Sequence, residues 1–467
     1  MKKTLLVSAV SVAVLGLYAV PAMAKVSNPT VNMNQDEFKA SVLADGLANV
    51  WEMVWANGNI WATTRQGKQI LEINPQTGAA KVLHTFDKAF AEPVHQGVLG
   101  LTTHPNFGKG TNQDFVYAYY TYAATSRDKS DFGRVVRLTY DNKTGKLKNE
   151  RTIIDKVPAG NDHNGGRLMF DKTGKLLLTL GDNGHNQYAN ACKEINAQKI
   201  PTATAVKNKD FGLYQGKIIR MNLDGSIPSD NPVINGVQSH IYTYGHRNPQ
   251  ALVYVGDTLY NTDQGPAVDD EINIIKAGGN YGWPHIAGYQ DNMGYAYANY
   301  SAAEDCAKLP VYIGVDAHPS VPVMQELDFV ADNLVFPAKT FYTVPTGYDF
   351  TDAKCEVSYL CWPTVATTSI AYYPKDGKIK SLQNSLLVTG VKTGTLYQLP
   401  LSADGKQVQG EAISLFRTNN RYRMVLVSPD TQKIYVATDD AGMLMGKDVQ
   451  PTSTVENKGA ILVFEAK

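Results

Sequence analysis

Four positively charged side chains lie in loop-like stretches of a chain whose charges otherwise balance. The 467 residues include 44 Lys and Arg against 44 Asp and Glu. The four loop cations are Arg247, Lys392, Arg421 and Arg423. Guanidinium and ammonium groups bind carboxylates through charge-assisted hydrogen bonds. Together they predict a binding site for a ligand that carries several carboxylates.

A candidate general base and candidate metal donors lie in similar stretches. Asp162 and His163, with Asp182 in the following turn, supply a histidine and carboxylates that could orient it as a base. Taken alone, His163 is also typical of a structural loop histidine. Gly265 and Pro266 would expose consecutive backbone carbonyls, which are hard oxygen donors suited to Ca²⁺.

Many of these residues belong to polar, glycine-bearing stretches, each of which could singly be an ordinary turn. Five of them are notable: residues 245–250, 263–266, 269–273, 278–284 and 419–423. Several such stretches in one chain indicate a common binding site.

The segments that must position these loops are predicted to be short β-strands. Residues 60–64, 70–73 and 81–83 predict three successive antiparallel strands joined by tight turns. Similar units recur along the chain, and their weak self-similarity is typical of propeller blades. Periodicity alone leaves a large β-sandwich open as an alternative, and it does not give the number of blades.

The N-terminus has the charged, apolar and small-residue order of a secretory signal peptide, with Lys2 and Lys3 before an apolar run and Ala24 at the expected cleavage site. The apolar run is shorter than the roughly 20 residues that a spanning helix needs. We therefore expect residues 1–24 to be removed, which leaves residues 25–467 as a single domain in the periplasm or outside the cell. The near-neutral charge argues against a nucleic-acid or membrane partner.

The four cysteines suit an oxidising compartment. Cys355 and Cys361 are close enough in sequence to form a small disulfide-closed loop. Whether Cys192 pairs with Cys306 stays open. A zinc site is not predicted, because no His-x-x-x-His or second Cys-x-x-Cys motif accompanies them.

Long segments closely resemble the soluble quinoprotein glucose dehydrogenases and their aldose dehydrogenase relatives. The resemblance runs from about residue 60 to the C-terminus and is strongest in residues 216–228, 239–249, 264–300, 359–365 and 419–423. It implies an all-β fold, a six-bladed β-propeller of four-stranded antiparallel blades. It also implies oxidation of an aldose at C1 to the lactone, by hydride transfer to C5 of pyrroloquinoline quinone (PQQ) bound to Ca²⁺.

The resemblance assigns roles to individual residues. It implies that His163 is the general base, that Asp182 orients it, and that Arg247 stabilises charge on the quinone oxygen. The carbonyls of Gly265 and Pro266 would bind the Ca²⁺ that holds PQQ.

Three further groups match binding positions of the family. The expected cofactor contacts are Arg247, Asn248, Gln250, Gln264, Thr364, Lys392, Arg421 and Arg423. The expected sugar contacts are His95, Asp162, Gln187, Tyr359 and Trp362. A second Ca²⁺ group, near the dimer interface of the family, comprises Glu271, Tyr281, Ala287, Tyr289, Asp291 and Glu326. A homodimer and an unidentified electron acceptor are therefore also expected.

Three departures from the family lie near the expected sugar pocket. His95 stands where the family has a glutamine, Tyr188 stands where it has a leucine, and the loop from Cys355 to Cys361 is one residue shorter. The resemblance therefore predicts the identity of the cofactor more directly than the identity of the sugar. Two alternatives stay open: a Ca²⁺-dependent propeller lactonase, which would need a carboxylate cage around its ion, and a non-catalytic sugar-binding propeller, which would not need His163 or the cations.

Overall fold

The computed structural model of the chain describes residues 38–92, 95–124, 131–310, 317–350, 355 and 357–467. The expected signal peptide, residues 1–24, lies outside the described residues. Almost all regular structure in the described part is β-strand, and the α-helix α1 (Ala203–Lys207) is short.

The strands are short, in keeping with the turn-rich sequence. In chain order they are β1 (Phe38–Ala44), β2 (Val50–Ala56), β3 (Asn59–Thr64), β4 (Gln69–Ile73), β5 (Ala80–Thr85), β6 (Val98–Thr103), β7 (Phe115–Tyr122), β8 (Phe132–Asp141), β9 (Lys146–Pro158), β10 (Leu168–Phe170), β11 (Leu176–Leu180), β12 (Lys217–Met221), β13 (Val233–Ile234), β14 (Val237–Gln238), β15 (Ile241–Tyr244), β16 (Pro249–Val255), β17 (Thr258–Asp263), β18 (Asp270–Ile274), β19 (Tyr297–Ala298), β20 (Val323–Met324), β21 (Lys339–Phe341), β22 (Thr367–Tyr373), β23 (Ser385–Gly390), β24 (Thr395–Pro400), β25 (Ile413–Leu415), β26 (Tyr422–Val427), β27 (Lys433–Thr438), β28 (Leu444–Met445), β29 (Pro451–Thr452) and β30 (Ile461–Ala466).

Six four-stranded antiparallel sheets form the blades of a propeller. Blade 1 is β2-β3-β4-β5, blade 2 is β6-β7-β8-β9, blade 3 is β10-β11-β12-β15, blade 4 is β16-β17-β18-β21, blade 5 is β22-β23-β24-β25, and blade 6 is β26-β27-β30-β1. The first strands of neighbouring blades contact one another around the axis, as β2 does with β6 and β26. β1 pairs antiparallel with β30, Phe38 opposite Ala466, so the N-terminal strand completes the last blade. The predicted six-bladed propeller is confirmed.

The apolar core lies between neighbouring blades. Each sheet therefore packs against another sheet on both of its faces. Six apolar clusters join neighbouring blades. In one of them, Leu177 and Ile218 of blade 3 pack against Leu252 and Leu259 of blade 4. This arrangement explains why several strands are apolar without alternation: every residue of β11 and β12 is buried.

A buried arginine joins blades across the propeller axis. The guanidinium of Arg167, just before β10, forms an ion pair with Glu52 of β2. It also donates from Nε to the carbonyl oxygen of Gln250 at 3.1 Å and from Nη1 to the sulfur of Met424 at 3.4 Å. Arg167 therefore connects blade 3 with blades 1, 4 and 6.

Two disulfides fasten long loops. The predicted Cys355–Cys361 bond is present, and the pairing that the sequence left open is Cys192 with Cys306. Within the described ranges, no helix has the length and apolar character required to cross a membrane.

Candidate active site

A cavity of about 230 Å³ lies at one end of the propeller. It is formed by loops that enter the first strand of a blade and loops that join the second strand to the third. Its lining residues are His95, Asp162, His163, Gln187, Tyr188, Arg247, Gln264, Gly265, Pro266, Asp270, Tyr359, Trp362, Thr364, Ala366, Val391 and Arg421. The structure therefore brings together all five expected sugar contacts, both expected carbonyl donors and several expected cofactor contacts.

His163 has the geometry of a carboxylate-oriented base. Its Nδ1 lies 2.7 Å from Oδ1 of Asp182, which also accepts from the backbone N–H of Gly184 at 2.8 Å. A neutral imidazole that donates from Nδ1 to a carboxylate keeps an unprotonated Nε2. The backbone of His163 has φ +42°, a left-handed conformation that is costly for this residue type and is held by the surrounding loop.

A second histidine and carboxylate lie beside this pair. Nδ1 of His95 is 2.5 Å from Oδ1 of Asp162, which also accepts the backbone N–H of His163 at 2.9 Å. Burial acts to raise the pKa of Asp162, but His163 and His95 outweigh it and hold that pKa well below its usual range. Burial lowers the pKa of His95, although Asp162 opposes this effect. At neutral pH we therefore expect Asp162 to be ionised and His95 to be neutral.

Arg247 lies between the histidine side of the cavity and the Gly265–Pro266 turn. Its Nη2 donates to Oε1 of Gln187 and its Nη1 to the carbonyl oxygen of Gln264, both at 3.1 Å. Its backbone carbonyl accepts the N–H of Asp182 at 2.8 Å. This backbone bond joins two of the three residues expected to act in catalysis, Asp182 and Arg247.

The Gly265–Pro266 turn is held by a buried carboxylate. Oδ1 of Asp270 accepts the N–H of Gly265 at 3.0 Å, and Oδ2 accepts the N–H groups of Val365 and Ala366 at 2.7 and 2.6 Å. Asp270 thus connects the turn of blade 4 to the loop that enters blade 5. Burial raises the pKa of Asp270 to about 6, opposed by Lys392 and these three N–H groups.

The ammonium group of Lys392 donates hydrogen bonds to three acceptors of the protein. Its Nζ donates to Oγ1 of Thr364 at 2.5 Å and to the carbonyl oxygens of Trp362 and Tyr359 at 2.7 and 3.1 Å. Burial lowers the pKa of Lys392 to about 7, and Asp270 opposes the change. The lysine therefore supports the aromatic wall made by Tyr359 and Trp362, whose rings meet edge to face with centroids 6.1 Å apart.

Two of the three arginines expected to contact the cofactor, Arg421 and Arg423, interact with one buried carboxylate, Asp439. Arg423 binds it from Nε at 3.0 Å and from Nη2 at 2.7 Å, while Arg421 binds it from Nε at 3.3 Å. Burial acts to raise the pKa of Asp439, but Arg423, Arg421 and Arg65 hold it well below its usual range. Nη1 of Arg423 is buried and has no hydrogen-bond partner among the described residues.

The three expected amide contacts form a connected row. Gln250 donates to Oδ1 of Asn248 at 2.7 Å, Asn248 donates to Oε1 of Gln264 at 2.8 Å, and Gln264 donates to the carbonyl oxygen of Thr367 at 2.9 Å. Asn248 and Gln250 are buried and do not line the cavity. Their side chains hold Gln264, which does.

None of the residues of the expected second Ca²⁺ group lines this cavity. Glu326 accepts the N–H groups of Ala287 at 3.0 Å and Asn292 at 2.9 Å, and Glu271 accepts that of Gly288 at 2.8 Å. Burial raises the pKa of Glu271 well above its usual value and that of Glu326 to about 7. The part of the chain that the structure describes contains no group of three or more His, Cys, Asp or Glu side chains arranged to hold a metal. Ca²⁺ binding by Glu271, Tyr281, Ala287, Tyr289, Asp291 and Glu326 stays a prediction.

Comparison with known proteins identifies the family. The sequence model described as Glucose / Sorbosone dehydrogenase matches residues 47–324 and 338–446. The chain belongs to the glucose/sorbosone dehydrogenase family. It is 39% identical to quinoprotein glucose dehydrogenase B of Acinetobacter calcoaceticus over 476 aligned residues, which cover 100% of this chain and 98% of that protein. It is 28% identical to aldose sugar dehydrogenase YliI of Escherichia coli (strain K12), over 52% of this chain and 61% of that protein.

Solved structures share the fold of the chain. The PQQ-bound form of aldose sugar dehydrogenase from Streptomyces coelicolor aligns with a TM-score of 0.60 and 21% identity, over 94% of this chain and 100% of that chain. At this identity the likeness supports the fold, and the resemblance that the sequence carries is confirmed by the family match.

Three residues of the chain contact the expected site residues, although the sequence alone indicated no role for them. They are Asp270, Trp283 and Asp439. Asp270 and Trp283 stand in two of the polar, glycine-bearing stretches, at residues 269–273 and 278–284, so their neighbourhood carried a signal. Asp439 stands in no such stretch. Its role, which is to bind Arg421 and Arg423, is visible only in the structure.

Proposed function

We propose that the protein is a quinoprotein dehydrogenase that oxidises an aldose at C1 to the lactone, using PQQ and Ca²⁺ and passing the electrons to an acceptor that is not yet identified. One observation carries the proposal: a histidine base oriented by a carboxylate faces the same cavity as an arginine and a pair of carbonyl donors. The 39% identity to a quinoprotein glucose dehydrogenase over the whole chain supports it.

The residues present fit PQQ, a flat tricarboxylate. The cavity has aromatic walls at Tyr359 and Trp362 and cations at Arg247 and Arg421. The unpartnered Nη1 of Arg423 is a buried donor in the same cluster, which favours a nearby anion. The carbonyls of Gly265 and Pro266 would hold Ca²⁺. When bound, the quinone accepts the hydride and the cation polarises it as a Lewis acid.

His163 would perform the proton transfer. Its Nε2, the ring nitrogen that does not face Asp182, can accept the proton of the C1 hydroxyl, and Asp182 stabilises the imidazolium that results. Gln187, 3.4 Å from Nε2 through its own Nε2 and hydrogen-bonded to Arg247, is placed to orient the sugar. Arg247 supplies positive charge where negative charge develops.

We expect chelator-treated protein to be inactive and to regain sugar-dependent dye reduction only when both PQQ and Ca²⁺ are added, because the basic residues and the carbonyl pair make one joint site. The measurement is dye reduction with glucose after adding each component alone and then both. Activity with NAD alone would contradict the assignment. Sugar binding without dye reduction would favour a binding protein, and lactone hydrolysis without PQQ would favour the lactonase.

The sugar preference should depend on His95, which lines the cavity and contacts Asp162. Protonation of His95 removes a hydrogen-bond acceptor and places a cation beside His163, so we expect an acid-side loss of rate. Because burial lowers the pKa of His95, the midpoint of that loss should lie below the ordinary histidine pKa of about 6.5.

His95→Gln should flatten this acid limb and change the ranking of aldoses, since an amide does not change its charge. We would compare it with the parent protein between about pH 5 and 9, using glucose and several other aldoses. Superimposable profiles with the same sugar ranking would show that His95 plays no direct part.

We also propose export, with cleavage after Ala24 leaving residues 25–467 as one domain in the periplasm or outside the cell, and assembly as a homodimer. The two disulfides support an oxidising compartment. N-terminal sequencing of the mature protein and its mass in solution test these statements.

A further inference from the structure

Trp283 lies between two of the side chains predicted to act in catalysis and contacts both. Its indole Nε1 donates to Oδ2 of Asp182 at 2.9 Å. The guanidinium carbon of Arg247 lies over its ring, 5.4 Å from the centroid. The side chain is only 8% exposed, so both contacts are largely shielded from water, which strengthens them.

The main chain of Trp283 is fixed by two separate segments. Its N–H donates to the carbonyl oxygen of Gly245 at 3.0 Å, and its carbonyl oxygen accepts from Nε2 of Gln198 at 2.8 Å. Its ring packs in an apolar cluster with Ile195 and Tyr297. The indole is therefore a rigid support that cannot follow Asp182 or Arg247 if either side chain rotates.

Asp182 depends on such a support to orient its histidine. Oδ1 accepts from His163 and from the N–H of Gly184, while Oδ2 accepts from the Trp283 indole. Without that donor, Oδ2 would be a buried carboxylate oxygen with a lost hydrogen bond, and the carboxylate could turn away from His163. A residue that hydrogen-bonds to the partner of a catalytic histidine usually fixes the tautomer and the orientation of that histidine.

We propose that Trp283 is a positioning residue for the oxidation: its N–H fixes Asp182, and through Asp182 the tautomer of His163, while its ring face fixes Arg247. This inference rests on the proposed function and adds a residue to the same site. It joins the base side and the arginine side of the cavity through a single side chain.

Trp283→Phe tests the inference because it keeps an aromatic ring beneath Arg247 and removes the N–H together with part of the indole. In the PQQ- and Ca²⁺-loaded protein, we expect sugar to reduce the cofactor on the order of 10-fold more slowly, with little change in the KM for sugar. In the apoprotein labelled with ¹⁵N-histidine, the downfield NMR signal of the proton on Nδ1 of His163 should broaden or disappear. Site-specific replacement of Trp283 by 3-benzothienylalanine, which has the same shape and no N–H, should give the same results if the phenylalanine variant folds poorly.

Trp61→Phe is the matched control. Trp61 is fully buried in blade 1, and its Nε1 donates to Oε2 of Glu72 at 3.0 Å, so the same chemical change is made outside the cavity. We expect this variant to keep both the reduction rate and the His163 signal. The inference is wrong if the two Trp283 replacements also keep both at the parent values. If the parent protein shows no sugar-dependent reduction, the proposed function fails, and the NMR signal still decides whether Trp283 positions His163.

Discussion

Replacing His163 by alanine is expected to slow reduction of the cofactor by sugar by about 10²- to 10⁴-fold, the usual contribution of a positioned general base. The proton of the C1 hydroxyl would then lose the base that Asp182 orients through a contact of 2.7 Å. The affinity for PQQ should change little, because the cations and carbonyls expected to bind it lie on other loops. Stopped-flow mixing of the loaded protein with sugar measures the reduction step directly.

His84→Ala is a suitable control for this experiment. His84 also contacts a carboxylate, Glu150, at 3.3 Å, but it belongs to β5 at the outer edge of blade 1 and does not line the cavity. We expect it to leave the reduction step unchanged. A parent-like reduction rate in His163→Ala would return His163 to the role of a structural loop histidine.

The short strands were predictable because a propeller repeats one simple unit, whereas the choice of a propeller with six blades came from the family resemblance. Each four-stranded unit has apolar strands separated by turn residues, and the loops that carry function interrupt that pattern visibly. The closure of the ring was not predictable from the strand pattern. β1 pairs with β30, more than four hundred residues away along the chain, and nothing in the local sequence of β1 distinguishes it from a strand that begins its own blade.

The structure brings many of the residues that the resemblance named to one cavity, but the resemblance did not reveal how each cation is used. Lys392 and Arg423 looked like two free positive charges in the sequence. In the structure, Lys392 is bound to Thr364 and two carbonyl oxygens, and Arg423 is bound through two nitrogens to Asp439. Such pairings join residues that lie on different strands and loops, so charge counting along the chain overstates the positive charge available to a ligand. Arg247 and Arg421 line the cavity directly.

Arg167→Leu is expected to lower the free energy of unfolding by about 3–5 kcal/mol, because it leaves the buried carboxylate of Glu52 without its cation. Both side chains are almost fully buried, and Arg167 also bonds blades 4 and 6 across the axis. Thermal and denaturant unfolding measure the loss. Arg134→Leu, which removes a more exposed pair with Asp155, should cost less than about 1 kcal/mol.

The stability that Arg167→Leu loses should depend on pH. The direction of this dependence follows from the pKa of Glu52. Burial raises the pKa of Glu52 to about 7, although Arg167 opposes this, so the folded protein holds this proton more tightly than the unfolded chain. Stability from this group is therefore present below the unfolded pKa of about 4.5 and is lost as the pH rises through about 7. In Arg167→Leu the opposing charge is gone, the pKa of Glu52 rises further, and the decline continues to higher pH. The variant should accordingly be closer to the parent protein at about pH 5 than at about pH 8.

The double variant Glu52→Leu/Arg167→Leu separates the ion pair from the packing around the axis. Removing both charges together leaves no unpaired buried carboxylate, so we expect it to recover most of the stability that Arg167→Leu loses and to show no added loss between about pH 5 and 8. If the double variant is as unstable as the single one at every pH, the hydrogen bonds from Arg167 to blades 4 and 6 stabilise the axis and the charge of Glu52 does not. A stability of Arg167→Leu equal to that of the parent would show instead that the interblade apolar clusters hold the ring without any axial contact.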